Sequence, residues 1–225
     1  MSVRYRLFRF ARGVSQWPLV KALVPRGLKA RVNWLLGRSV MNEFPDRRYL
    51  EDVVLPTLAA LRPGQLLDVG LESYTAHHGS FFGPETDRWT LDLNPEVARH
   101  GVPGRHLVAN VLDAGRHFAP GSLDAVTMNG PFGFGLDRLD EQVRALEVVH
   151  GLLRPGGWLL IGWNRTSEGE LLIAATPPPP AGTAAREPGT LDVVRERFEH
   201  VGPSGLPARK TFDGSSHVYD WYRAR

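Results

Sequence analysis

The chain contains no cysteine. That absence excludes disulfides, thiolate metal sites and cysteine nucleophiles. No apolar stretch approaches the ~20 residues a membrane-spanning helix needs. The opening residues do not form the apolar segment of a signal peptide, because Arg4, Arg6, Arg9 and Arg12 interrupt them. These absences lead to the expectation of a cytoplasmic protein. Acidic residues are missing altogether from positions 1–40, where nine basic ones stand: Arg4, Arg6, Arg9, Arg12, Lys21, Arg26, Lys29, Arg31 and Arg38. The formal net charge of +3 therefore joins a basic arm to a remainder at −6. Zinc fingers, RNA-binding signatures and recognition helices do not accompany the basic residues, which ranks nucleic acid last among partners. No internal repeat is present.

The 225 residues are enough for one substantial core. The arm mixes its charges with apolar residues at helical spacing, such as Phe10, Val14 and Trp17, and Pro18 and Pro25 divide it into short pieces. Residues 1–45 are therefore read as a basic amphipathic extension. It acts either as a lid packed over a pocket or as a contact to an anionic membrane surface, peripheral to the bilayer. A helix is expected over 46–61, kinked or interrupted at Pro56. Beyond the Arg62-Pro63-Gly64 turn, short apolar runs at 65–70, 89–95, 106–109 and 122–128 read as buried strands. Asn94 and Pro95 carry helix-start signals. A helix over 139–153 leads through an Arg154-Pro155-Gly156-Gly157 turn into a fifth strand at 158–163. Residues 174–190 read as a solvated, mobile proline-rich loop. A last helix follows at 191–198, and 209–212 with 217–222 form a closing hairpin. Strands alternating with helices predict a mostly parallel sheet with right-handed crossovers.

The order Leu66-Leu67-Asp68-Val69-Gly70, Leu91-Asp92-Leu93-Asn94-Pro95, Ser122-Leu123-Asp124-Ala125-Val126 and Leu152-Leu153-Arg154-Pro155-Gly156-Gly157-Trp158 resembles class I S-adenosylmethionine-dependent methyltransferases. The likeness is strong over about residues 60–165. Asn129-Gly130-Pro131-Phe132-Gly133-Phe134-Gly135-Leu136-Asp137, Ile161-Gly162-Trp163-Asn164 and His217-Val218-Tyr219-Asp220-Trp221-Tyr222 resemble a bacterial branch of that family. The resemblance implies a Rossmann-like fold over 46–225: a mostly parallel seven-stranded sheet with an antiparallel C-terminal hairpin and helices on both faces. It also implies S-adenosylmethionine as cofactor and methyl transfer to a small-molecule acceptor, in biosynthesis.

In an open α/β sheet, ligands bind beyond the carboxyl ends of the strands. Gly70 would let backbone approach the cofactor. By resemblance, Asp68 lies near the cofactor's amino end. Asp92 can accept hydrogen bonds from both ribose hydroxyls, with Leu93 and Asn94 flanking ribose and adenine. Asn110, or Asp113 in a shifted register, stands where the family pairs with the adenine amino group, and backbone at Val111 and Leu112 receives the ring. Asn129 and Gly130 end the fourth strand beside the methionine portion.

The family's glycine-rich loop is altered. After Gly70 come Leu71, Glu72, Ser73, Tyr74, Thr75, Ala76, His77 and His78. Bulky Leu71, Glu72 and Tyr74 are expected to narrow or reroute the methionine end of the pocket. The missing glycines also weigh against a dinucleotide site, whose pyrophosphate needs close backbone approach. A base is required only where the acceptor loses a proton early. His77 or His78 is the candidate, since imidazole titrates near neutrality. His217, Tyr219 and Asp220 look like a motif, but strand alternation assigns them to structure. No metal set is read, because the eight histidines do not fall at ligand spacing with carboxylates. Two rivals stand beside methyl transfer. One is a same-fold enzyme with another reaction, such as cyclisation. The other is a non-enzymatic membrane-surface or partner-binding module with a degenerate pocket.

Overall fold

The computed structural model describes residues 44–225. The basic extension, apart from Phe44 and Pro45, lies outside the described residues, and so do both readings of it. From Pro45 the chain enters α1 (Pro45–Tyr49), passes through a π-helical turn (Leu50–Val54) and continues as α2 (Leu55–Ala60). Pro56 has no amide hydrogen and its ring crowds the preceding turn. The helix accommodates it by widening just ahead of the proline, where the Leu55 amide bonds the Leu50 carbonyl, so the expected interruption is a π-turn.

Strands β1 (Gln65–Val69), β2 (Asp87–Asp92), β3 (His106–Val108), β4 (Leu123–Asn129) and β5 (Leu153–Asn164) are parallel. β6 (Phe198–His200), β7 (Arg209–Phe212) and β8 (Ser215–Ala224) complete the sheet. The spatial order is β3-β2-β1-β4-β5-β8-β6, with β7 also paired to β8. β8 runs antiparallel to β5, from Trp158 opposite Arg223 to Asn164 opposite His217. The sheet thus has the expected mostly parallel form and antiparallel C-terminal hairpin. It holds eight strands where seven were expected, because two short strands share the edge beside β8: β6 along Tyr222–Ala224 and β7 along Ser215–Asp220. The turn expected at 154–157 is an irregularity within β5, with Gly156 at φ +75°.

Two cores sandwich the sheet, as alternation along each strand requires. Leu67, Val69, Val126, Met128 and Ile161 face α3 (Leu139–Leu152) and α4 (Asp192–Arg197), meeting Leu146, Val149 and Val194. Leu66, Ala125, Leu160 and Trp221 face α1 and α2, meeting Leu50, Val54 and Leu58. The connections after β1, β2 and β3 are 3-10 turns: Ser73–Phe81, Pro95–His100 and Val111–Arg116. The proline-rich loop is not wholly solvated. Ala185 and Pro188 are buried, and the Gln142 side chain bonds both the N–H and the C=O of Arg186.

Candidate active site

The carboxyl ends of the parallel strands open into a cavity of about 370 Å³, within the range of small-molecule sites. Its lining follows the strand order. Ala109, Asn110 and Val111 come from beyond β3, Asp92 and Leu93 from β2, and Gly70, Leu71, Glu72 and Tyr74 from beyond β1. Asn129, Gly130 and Pro131 come from β4, Asn164 from β5 and His217 from β8, with Arg47 of α1 and the 134–136 turn completing the wall. The middle of the cavity lies over the β1–β4 junction, where strand order reverses direction and open α/β sheets bind ligands.

The Asp92 carboxylate is fixed before any ligand arrives. Its Oδ2 accepts from the Leu71 amide at 2.7 Å and its Oδ1 from the Asn94 amide at 2.8 Å. Each oxygen retains further acceptor capacity. Gly70 adopts φ +88°, and a Cβ there would stand 3.1 Å from the Asn129 carbonyl oxygen. Both backbone freedom and close approach therefore require glycine. Gly130, at φ +96°, has nothing within 4 Å of an added Cβ, which leaves bare backbone on the cavity side.

At the opposite end, Asn129, Asn164 and His217 form a chain. His217 Nε2 lies 3.1 Å from Asn129 Oδ1, and its Nδ1 lies 3.1 Å from Asn164 Oδ1. Burial, with Arg47 adding to it, lowers the His217 pKa to about 4. The ring is consequently neutral at pH 7, with one N–H and one lone pair, so one asparagine presents its oxygen and the other its amide N–H2. Gly162 lies beneath this pair; a Cβ there would stand 2.1 Å from Asn129 Oδ1 and 2.8 Å from His217 Nε2. Beside them Arg47 donates to the Tyr74 hydroxyl at 3.3 Å, its guanidinium 5.0 Å from the ring centroid. Burial raises the Tyr74 pKa against the opposing charge of Arg47, keeping the phenol protonated.

Neither a protein-family model nor a curated protein sequence matches this chain. Solved structures do. An N-methyltransferase, NodS from Bradyrhizobium japonicum WM9, in complex with S-adenosyl-L-homocysteine, superposes with a TM-score of 0.57 at 14% identity, over 79% of this chain and 86% of that one. The 1,6-didemethyltoxoflavin-N1-methyltransferase of Burkholderia thailandensis, with bound 1,6-didemethyltoxoflavin and S-adenosylhomocysteine, gives 0.54 at 19% identity over 89% and 90%. An O-methyltransferase family protein from Burkholderia thailandensis gives 0.51 at 20% identity over 80% and 56%. The chain has the class I methyltransferase fold.

Within that fold, Gly70, Glu72, Tyr74, Asp92, Leu93, Asn110, Val111, Asn129 and Gly130 all meet at one cavity. Asn94 and Leu112 stand beside it without lining it. The Asn94 side chain caps the following turn by accepting from the Glu96 amide, and the Leu112 side chain packs on the core. Asn110 likewise accepts from the Leu112 amide, and Asp113 pairs with Arg116. Leu71, expected to narrow the pocket, is buried and lines the cavity together with Glu72 and Tyr74.

Asp68 is not at the cavity wall. It shares a sheet face with Leu66 and Thr127, accepts from Thr127 Oγ1 at 2.6 Å and pairs with Arg88. Its charge is thereby engaged beneath the site. His77 and His78 also stand off the cavity. His77 Nε2 lies 3.0 Å from Glu51 Oε1, and His78 is buried. Burial, reinforced by His77, Arg88 and Arg47, drives the His78 pKa well below the imidazole range. Conversely, the cavity takes in Arg47, which belongs to no motif, and His217, which strand alternation assigns to structure. Only the pairing of β8 with β5 puts His217 beside Asn164.

Proposed function

We propose that this chain binds S-adenosylmethionine and transfers its methyl group to a small molecule. The observation that carries the reading is the Asp92 carboxylate, fixed by two backbone amides, facing one cavity with the bare backbone of Gly70 and Gly130. The S-adenosylhomocysteine bound in the NodS and toxoflavin methyltransferase structures supports the same cofactor class. Asp92 would accept from the ribose hydroxyls, and Leu93, Ala109, Asn110 and Val111 would enclose the adenine. Gly70, Glu72 and Gly130 would meet the amino-acid end. When bound, the cofactor supplies an electrophilic sulfonium methyl.

The residues of this chain then act mainly by placing the acceptor in line, which can lower a barrier by ~7–11 kcal/mol. The Asn129–His217–Asn164 chain and the Arg47–Tyr74 pair stand at the β4, β5 and β8 end of the cavity, where an acceptor would lie next to the amino-acid end. With a pKa of about 4, His217 is a weak base and is assigned to orienting the acceptor by hydrogen bonding. His77 and His78 lie off the cavity wall and are not assigned to proton transfer.

Calorimetric titration with S-adenosylhomocysteine tests the reading. Saturable binding is expected, weakened about 10- to 100-fold in Asp92→Ala, since one hydrogen bond to a charged group is worth ~1.5–3 kcal/mol. Absence of heat at millimolar ligand would remove the cofactor. Turnover of an acceptor without S-adenosylhomocysteine appearing would move the fold to another reaction.

A further inference from the structure

Outside the cavity, the loop that replaces the family's glycines makes a second cluster with the π-turn. Glu51, His77 and His78 each offer a ligand atom within 4.8 Å of the others. Glu51 is 2% exposed, and its Oε2 is buried without a hydrogen-bond partner. A buried carboxylate oxygen left unpaired is costly, and such groups in native structures are generally satisfied. The nearby guanidinium groups do not fill the role: Arg88 is engaged by Asp68, and Arg47 by Asp46 and Tyr74. The two imidazole rings lie edge to face, 4.8 Å apart.

We infer that Glu51, His77 and His78 form a binding site for a divalent transition metal, zinc by preference, that ties the 73–81 loop to the first helix. Two imidazole nitrogens and one carboxylate oxygen are a donor set that suits zinc, with a fourth position open to water. Bond lengths of ~2.1 Å around a tetrahedral ion put ligand atoms roughly 3.4 Å apart, so closing on the ion asks for side-chain adjustment rather than backbone movement. Glu51 stands on the inward side of the π-turn, so the widened turn ahead of Pro56 helps set its position. The same loop carries Glu72 and Tyr74 to the cavity. A metal here would hold the segment that stands in place of a glycine cradle, without touching substrate.

The test uses the full chain, dialysed against chelator and titrated with zinc in the absence of any S-adenosyl ligand, so that its outcome is independent of the cofactor reading. One ion per chain is expected, with a raised melting temperature. Glu51→Gln and His77→Gln, checked for folding by circular dichroism, should each weaken binding by at least ~10- to 100-fold, the loss already seen when a group supporting a ligand is removed. No stoichiometric zinc, or equal affinity in wild type and both folded variants, would overturn the site and leave a His77–Glu51 hydrogen bond in its place. If the variants do not fold, cobalt(II) added to wild type decides. Visible bands of tetrahedral intensity that stoichiometric zinc displaces support the site; their absence refutes it.

Discussion

Burial determines the state of His217. Its pKa in the folded chain is about 4, against an ordinary value of 6.5. Between those values the unfolded chain binds the proton more readily, so acid favours unfolding. The contribution is fully present above pH 6.5 and is lost as pH falls toward 4, about 3 kcal/mol in all at ~1.4 kcal/mol per unit. Buried His78 is shifted in the same direction. Urea unfolding at about pH 7 and about pH 5 should show the wild type weakening, and His217→Gln should weaken less over the same interval. A pH dependence identical in the variant would place the titration elsewhere. At this scale the sequence was informative where chemistry is local. Asp92 and Gly70 were legible because a strand-end carboxylate and a positive-φ glycine are set by their own neighbours. Asp68 was not: strand alternation, together with Arg88 and Thr127, places its side chain on the Leu66 face, beneath the site and off the cavity wall.

Among the elements, α3 does more than cover the sheet. Gln142 is fully buried, and its amide donates to the Arg186 carbonyl at 2.7 Å and accepts from the Arg186 amide at 2.8 Å. One side chain thus satisfies a backbone segment that the proline-rich composition suggested was free. Gln142→Ala should cost about 1–3 kcal/mol, because it removes a fully buried side chain and leaves the partly buried N–H and C=O of Arg186 without their partner. Faster hydrogen exchange at the Arg186 amide would accompany it, and unchanged exchange would refute the strap. Helical and strand positions were largely readable from apolar period and turn residues. β6 is not marked in the sequence because it is only three residues long and starts at Phe198, the last residue of the expected helix, which is extended where β8 offers an edge.

Across the whole molecule, one buried carboxylate ties the C-terminal strands together. Asp220, with no exposed surface, accepts from Trp163 of β5 at 2.8 Å, pairs with His200 of β6 at 2.9 Å and takes two bonds from Arg209 of β7. Removing one partner of a buried charge pair costs about 3–5 kcal/mol. Arg209, a third exposed, can partly resolvate, which places Asp220→Asn near the lower end. Urea melting measures it; a loss below about 1 kcal/mol, the level of an exposed ion pair, would show that the network adds little. Among the described residues no helix is long and apolar enough to cross a membrane.

The alternation of strands and helices, the antiparallel closing hairpin and the Asp92 and Gly70 tips are all legible along the chain. Period, turn chemistry and local backbone freedom are carried by residues adjacent in the chain. Asn129 meets His217 across 88 positions, Arg47 reaches Tyr74, and Glu51 joins His77 and His78 through folding alone. Those meetings depend on which strands pair and how the first helix packs on the sheet, and no spacing along the chain encodes them.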